Sequence, residues 1–382
     1  MAEPGMQLVI LDFQSPNNAP FGTYTLKFQF SGTTNSVKVV FAAKVAAGTS
    51  NTNYYLPIWP CVTNFADVLP ITLPLANVAG LLQIIASAQG CTGRTYNFTS
   101  LGTAGVELNQ QGLTGSWYQP STSGQGFELE VFPDQVAPGT GQVFVSWFTF
   151  DTAAGGADRQ RWYTLIGPVV SGQPISTLTI YQNTGGNFNA LPVTTSQAVG
   201  TATLSFASCT SGQLAYTFTD GSGRTGTIPL TRLLQNETCS TTSARPTNAD
   251  FGFSGNWFTA ATSGQGITVE VNPNSAAIFV AWYTYAPSGA GFGAAGQRWY
   301  TLQGTYSPGS RSVPVQIYQT TGGSFNATTP APTTVPVGSG TIAFQSCSSA
   351  TLNYNFSGGS SSGASGTIAL TRVGPVPAGC AL

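Results

Sequence analysis

The chain has 382 residues, which is enough for two or three domains of ordinary size, each with its own core. Only 7% of the residues are charged and the formal net charge is -1, so the chain lacks the basic surface that nucleic acid or an anionic membrane would require. Its 46 glycines, 24 prolines and 12% aromatic residues indicate a folded, turn-rich protein, which we interpret as all-β.

Residues 1–110 are predicted to form an amino-terminal β-rich domain. This segment holds all three lysines, and its strands are predicted at YTLKFQF (24–30) and SVKVVFAAKV (36–45). The run LPLANVAGLLQIIASA (73–88) fits either a short apolar helix or two buried strands, which periodicity does not separate. The opening MAEPG has no secretory signal of its own and resembles a chain from which a leader has been removed. No run approaches the roughly 20 apolar residues of a membrane span, so we expect no membrane insertion.

The rest of the chain is predicted to contain two copies of one module, at residues 111–240 and 241–382. The matched strings keep their order in both copies, as expected for an internal repeat. They are GSWYQPSTSGQGFELEVFP (115–133) with GNWFTAATSGQGITVEVNP (255–273), FVSWFTF (144–150) with FVAWYTY (279–285), QRWYTL (160–165) with QRWYTL (297–302), and IYQNTGGNFNA (180–190) with IYQTTGGSFNA (317–327).

Each module is predicted to be an eight-stranded antiparallel meander barrel. Gly-rich turns such as SGQG and TGG separate about eight strand-like runs. In the first copy these runs are 113–118, 126–132, 142–150, 160–167, 176–182, 199–207, 213–219 and 225–233. Closure of such a meander removes both exposed sheet edges. A β-sandwich is the alternative fold.

Two resemblances rest on these motifs. The strings SGQG, WFTFD, RWYTL and IYQTTGG together resemble a tandem repeat module of uncharacterised secreted proteins of Gram-negative bacteria, which implies secretion and brings no known activity. The G-x-W of each first strand, with an arginine near the end of the last strand, also resembles the calycin barrels of lipocalins and avidins. The calycin resemblance implies that Trp117 packs under Arg232 and Trp257 under Arg372.

The six cysteines form three sequential pairs, each about 30 positions apart. We predict three local disulfides, which fit an extracellular, cell-surface or periplasmic location: Cys61–Cys91, Cys209–Cys239 and Cys347–Cys380. Buried free thiols in a cytosolic protein are the rival interpretation. The spacing is not that of a CxxC metal site and the chain has no histidine, so we expect neither a metal nor a cofactor.

The absence of histidine excludes a Ser-His-Asp triad and a Cys-His pair. Lysine is absent after residue 44, which excludes a Ser-Lys site in the modules. A two-carboxylate glycosidase site is not duplicated, because Glu128 of the first copy aligns with Thr268. The charges that recur in both copies are interpreted mainly as structural ion pairs within each module: Glu130 with Arg161 or Arg232, and Glu270 with Arg298 or Arg372.

The third strand of each module is apolar on both faces, so one face must meet a neighbouring module, a partner chain or a ligand. Packing within the core and between modules is the favoured interpretation. If the aromatic face binds a ligand, the contact residues are Trp147, Trp282, Trp162 and Trp299. A polar rim is then expected at Gln125, Gln265, Asn189 and Asn326.

These observations favour a secreted, non-catalytic binding or adhesion protein that engages a carbohydrate or matrix polymer. A self-assembling fibre or surface-layer subunit is the first alternative, with the chain itself as partner. A glycan-active enzyme that uses Glu130 or Glu270 is the next, and a calycin-like carrier requires hollow barrels. We expect no nucleic-acid partner.

Overall fold

The computed structural model describes residues 106–173, 175–240, 249–287 and 291–381, together with seven strands of the amino-terminal segment. The chain divides into two compact units, Met1–Ala104 and Gly105–Leu382. The helices in the described residues are 3-10 helices of three or four residues, so the all-β prediction is confirmed.

The amino-terminal unit contains two small antiparallel sheets. Its strands are β1 (Met6–Ile10), β2 (Tyr24–Ser31), β3 (Lys38–Ala47), β4 (Ser50–Tyr55), β5 (Val68–Ile71), β6 (Gly80–Ser87) and β7 (Thr95–Leu101). One sheet has the order β1-β6-β3-β4 and the other β5-β2-β7. Strand β6 occupies the second half of the ambiguous run at 73–88, so that half is a strand. The predicted disulfide Cys61–Cys91 lies outside the described residues.

The first module supplies a strand for each of its eight predicted runs. The strands are β8 (Gly115–Tyr118), β9 (Gly126–Ala137), β10 (Thr140–Phe150), β11 (Gln160–Val170), β12 (Ile175–Thr184), β13 (Thr195–Ser208), β14 (Ser211–Phe218) and β15 (Thr225–Arg232).

The second module repeats this order. Its strands are β16 (Gly255–Phe258), β17 (Gly266–Asn272), β18 (Ala277–Tyr285), β19 (Gln297–Thr305), β20 (Ser312–Thr321), β21 (Thr333–Phe344), β22 (Ser349–Phe356) and β23 (Ser365–Arg372).

Each module is a closed ring in which consecutive strands are hydrogen-bonded neighbours. The ring closes where the last strand pairs with the first, Arg232 opposite Trp117 in one module and Arg372 opposite Trp257 in the other. This is the predicted up-and-down meander, and the two separate sheets of a sandwich are not formed. Closure leaves neither module with an unpaired edge strand.

Side chains fill the interior of each ring. On β10 the alternate residues Val143, Val145 and Trp147 point into the first core, and all are at most 1% exposed. The other face of β10 carries Phe148 and Phe150, which are also buried. Two buried faces explain why this strand has no wet side: one face meets the barrel core and the other meets the second module.

Disulfides fasten the chain that follows each ring. Cys209 is bonded to Cys239 and Cys347 to Cys380, as predicted. The 3-10 helix before β8 packs directly on Cys239, so closely that a Cβ on Gly112 would overlap its backbone. Gly112 therefore permits an approach that alanine would block.

Candidate functional site

The two modules pack through a layer of mostly aromatic side chains, which lie on the outer faces of strands of both barrels. This layer consists of Phe148, Phe150, Trp162, Ala281, Tyr283, Tyr285 and Trp299. The indole Nε1 of Trp162 donates to the Thr284 carbonyl of the second module at 3.2 Å, and that of Trp299 donates to the Thr149 carbonyl of the first at 2.9 Å. These two tryptophan contacts are reciprocal, as in an isologous dimer.

Two matched glutamines continue this reciprocity. Gln160 donates to the Trp299 carbonyl at 2.8 Å, and Gln297 donates to the Trp162 carbonyl at the same distance. Both side chains are fully buried, so these hydrogen bonds pair polar groups inside the interface.

The loop with sequence TGG-x-FNA inserts one phenylalanine into the opposite barrel. Phe325 of the second module lies 5.2 Å from the Trp147 ring of the first, and Phe188 of the first lies 5.4 Å from the Trp282 ring of the second. Each phenylalanine also packs against the hydrophobic core of the barrel it enters. The barrels therefore close one another.

The predicted polar rim residues hold these loops. Gln125 accepts a hydrogen bond from the Asn326 backbone N–H at 2.9 Å, and Gln265 accepts one from Asn189 at 3.1 Å. Both asparagines have positive φ, 46° and 41°, a conformation that asparagine tolerates better than most residues. The four residues therefore form two separate pairs, each made of a glutamine from one module and an asparagine from the other.

The SGQG loop also contacts the opposite module. Gly124 and Gly264 have φ of 94° and 91°, and a Cβ on either would overlap Pro332 or Thr194 of the other module. The loop occurs twice because each module must accept its neighbour's chain at this point.

The recurring charges pair between modules, so the prediction of pairs within each module was wrong. Glu130 lies 2.8 Å from Arg372, and Glu270 lies 3.8 Å from Arg232. The physical reason is that both glutamates point outward from their own ring, toward the end of the neighbouring one. Glu130 also accepts hydrogen bonds from the backbone and side-chain amides of Asn256, at 2.6 and 2.7 Å.

The remaining two arginines of this set do not contact the glutamates. Arg161 pairs with Asp151, and Arg298 donates to the carbonyls of Ala295 and Gln297. The guanidinium carbon of Arg232 lies 5.3 Å from the centre of the Trp117 ring, and that of Arg372 lies 4.9 Å from the Trp257 ring. Each of these two arginines therefore packs over the tryptophan of its own ring.

Glu128 is a buried carboxyl that the sequence did not single out as a site. Its Oε2 accepts a hydrogen bond from the Ser116 hydroxyl at 3.0 Å, while its fully buried Oε1 has no partner. The Ser116 backbone N–H donates to Glu270 at 2.7 Å, which brings the two carboxyls to one serine. Burial, with the nearby Glu270 charge, raises the pKa of Glu128 well above its usual range.

The four tryptophans predicted as ligand contacts are buried. Trp147 and Trp282 lie inside the barrels, and Trp162 and Trp299 lie in the aromatic layer, all at most 2% exposed. Of these, Trp162 reaches a cleft between the modules. Their predicted role in ligand binding stays a prediction.

This inter-module cleft encloses about 390 Å³. Aromatic and aliphatic side chains form most of its wall, and the lining includes Trp162, Tyr181, Asn183, Ser196, Gln265 and Tyr283. None of the described residues that line it is charged. It lies between the outward face of β10–β13 and the SGQG loop with β16 and β17 of the second module.

No protein-family model matches the chain, and no curated protein or solved structure is significantly similar to it. Within the residues described, no cluster of acidic or cysteine side chains could hold a metal ion. Nor does this part of the chain contain a helix long and apolar enough to cross a membrane.

Sequence reasoning missed the cleft and the exchanged phenylalanines. The signal for Phe188 and Phe325 was present, because an apolar ring in a Gly- and Asn-rich loop must find cover somewhere. The cleft had no comparable signal, since its two walls come from different modules.

Proposed function

We propose that the chain is a secreted, non-catalytic binding protein whose inter-module cleft takes a neutral carbohydrate. The observation that carries this proposal is the uncharged cleft itself, with aromatic rings beside hydroxyl and amide groups. Its volume of about 390 Å³ lies in the range of roughly 300–1,000 Å³ usual for small-molecule sites.

Each part of the lining fits a sugar. Half-buried Tyr181 offers ring surface on which the apolar face of a pyranose can stack. Ser196 and Asn183 add neutral hydrogen-bonding groups suited to hydroxyls. A charged ligand gains no counter-ion from the described lining, so its desolvation would go uncompensated.

The carboxylates favour binding over catalysis. Glu130 is held by Arg372 and Asn256, and Glu270 by Ser116 and Arg232, so both already have partners. A glycosidase needs two carboxyl groups at the ligand. One donates a proton to the leaving group, and the other acts as a base or a nucleophile. Neither Glu130 nor Glu270 lines the cleft.

The location proposed for the protein rests on the disulfides. Two are formed in the described chain, and such bonds persist in oxidising compartments. They are compatible with an extracellular or periplasmic protein.

A glycan array, followed by titration calorimetry with any sugar that binds, tests the proposal. Tyr181→Ala removes a ring from the cleft and should weaken binding roughly 10-fold, about 1.4 kcal/mol. Tyr318→Ala is the matched control: Tyr318 is the aligned residue of the second module, equally half-buried and outside the described cleft. It should leave affinity unchanged.

Four outcomes would contradict this function. No binding to any sugar on a broad array would exclude carbohydrate as the ligand class. Equal losses of affinity in the two tyrosine variants would place the site outside the cleft. Release of a cleaved sugar that is lost in a Glu130→Gln, Glu270→Gln double variant would make the protein an enzyme. High-mass assemblies in size exclusion, together with a silent array, would favour the structural alternative.

A further inference from the structure

Arg161 and Arg298 occupy the same position in the two QRWYTL strings and have nearly the same surroundings. They are 8% and 9% exposed. Arg161 Nη1 donates to the carbonyls of Asp158 and Gln160, at 2.8 and 2.7 Å. Arg298 Nη1 donates to the two aligned carbonyls, of Ala295 and Gln297, at the same two distances.

The two sites differ in their counter-ion. Asp151 pairs with Arg161, whereas the aligned residue in the second module is Ala286. The backbone is the same at both positions: Asp151 N–H donates to the Arg159 carbonyl at 2.7 Å, and Ala286 N–H donates to the aligned Gly296 carbonyl at 2.8 Å. The second module therefore has the same backbone hydrogen bond at this site but lacks the carboxylate.

Arg298 is alone in this respect among the arginines of the described residues. The other six have a carboxylate oxygen within 3.8 Å: Arg159, Arg161, Arg224, Arg232, Arg311 and Arg372. The fully buried Nε of Arg298 has no hydrogen-bond partner. The segment APSGAGFGAAG at 286–296, which precedes its strand, contains no acidic residue.

An uncompensated guanidinium at this depth is costly. Burial lowers the pKa of Arg298, and the Arg161 charge adds to this effect while Tyr300 and Asp158 oppose it. Arginine nevertheless stays charged near neutral pH, so loss of the proton does not remove this cost.

We propose that Arg298 forms a second ligand site, which binds the carboxylate of a small organic acid or an acidic sugar. The ligand carboxylate takes the place that Asp151 fills in the first module. The two large side chains of the first site are replaced by small ones, since Ala286 stands for Asp151 and Gly296 for Arg159. A carboxylate is the fitting class because it matches the guanidinium fork in a planar, bidentate contact. The site is independent of the neutral cleft.

The test is a titration of the full chain with sodium acetate, at constant ionic strength against chloride, followed by NMR of the arginine Nε–H groups. One Nε–H resonance should shift and saturate in the wild type, and Arg298→Gln should remove it. In Ala286→Asp the chain supplies its own carboxylate, so acetate affinity should fall roughly 10- to 100-fold.

The aligned variant Asp151→Ala is the converse experiment. Combined with Arg159→Gly, which removes the other large side chain of this site, it opens the matching vacancy beside Arg161, so a second saturating resonance should appear. Unsaturated shifts in the wild type, or an Ala286→Asp protein that binds acetate as well as the wild type does, would overturn the proposal. Saturation by phosphate but not by acetate would also overturn the carboxylate assignment.

Discussion

Glu130 and Arg372 lie 242 residues apart in the sequence and form a buried ion pair of 2.8 Å across the module interface. Arg372 also donates to the Ser254 carbonyl and packs over Trp257, at the point where the second ring closes. The same arginine therefore contacts the strands that close the second barrel and binds the first barrel through Glu130.

Replacing Arg372 with glutamine should leave the Glu130 carboxylate buried without its cation. We expect the free energy of unfolding to fall by about 3–5 kcal/mol, as when one partner of a buried pair is removed. Arg232→Gln is the matched variant and should cost less, because Arg232 lies 3.8 Å from Glu270. Chemical denaturation followed by tryptophan fluorescence measures both. A larger loss for Arg232→Gln would contradict this ranking.

Replacing Phe188 or Phe325 with alanine should uncover the end of the opposite barrel. Each ring packs on a core of the other module, so we expect each variant to lose about 2–4 kcal/mol. Phe292→Ala is the control: that ring is 64% exposed and its loss should change stability by less than about 0.5 kcal/mol. Urea denaturation measures the stability of all three variants. Wild-type stability in both loop variants would show that the inserted phenylalanines are not needed for stability.

Stability should fall as pH rises through neutrality. Burial raises the pKa of Glu128 well above its usual range, and it raises that of Glu130 to about 7 although Arg372 and Asn256 lower it. An acid that holds its proton more tightly when folded contributes full stability below its unfolded pKa, and this is lost as pH rises toward the folded value.

Each extra proton held by the folded chain should lower the free energy of unfolding by about 1.4 kcal/mol per pH unit within that window. The range from pH 5 to 8 is informative because the chain has no histidine to titrate there. Glu128→Gln should flatten part of the slope, as seen by urea denaturation at each pH. A slope that is unchanged in this variant, or stability that rises with pH, would contradict the prediction.

Removing either disulfide should destabilise the modules by similar amounts. The bonds close segments of 30 and 33 residues, for which loop entropy alone gives about 3–4 kcal/mol each. The variants Cys209→Ala with Cys239→Ala, and Cys347→Ala with Cys380→Ala, are compared by thermal unfolding. A loss confined to one of the two would show that the bonds do not act alike.

The strands were predictable because they depend on local pattern. Alternation and Gly-rich turns located all eight strands of the first module, and the short spacing favoured the meander that forms. Cys209–Cys239 and Cys347–Cys380 followed from spacing as well.

Partners across the interface were not predictable in the same way. When two copies share Glu130 and Glu270, or Arg232 and Arg372, the sequence cannot tell a pair within one copy from a pair between copies. Only the direction in which the glutamates leave their strands decides it, and that depends on how the barrels pack. The inter-module cleft was hidden for the same reason, because Tyr181 and Gln265 come together only after docking.

The reciprocal packing has a consequence for how such a protein can change. In a dimer of identical chains, any substitution appears twice and alters two symmetric sites at once. Here both halves belong to one gene product, and they already differ where Glu128 aligns with Thr268 and Asp151 with Ala286. One module can therefore keep the residues that hold the fold together while the other gains a different functional residue, which a symmetric homodimer cannot do.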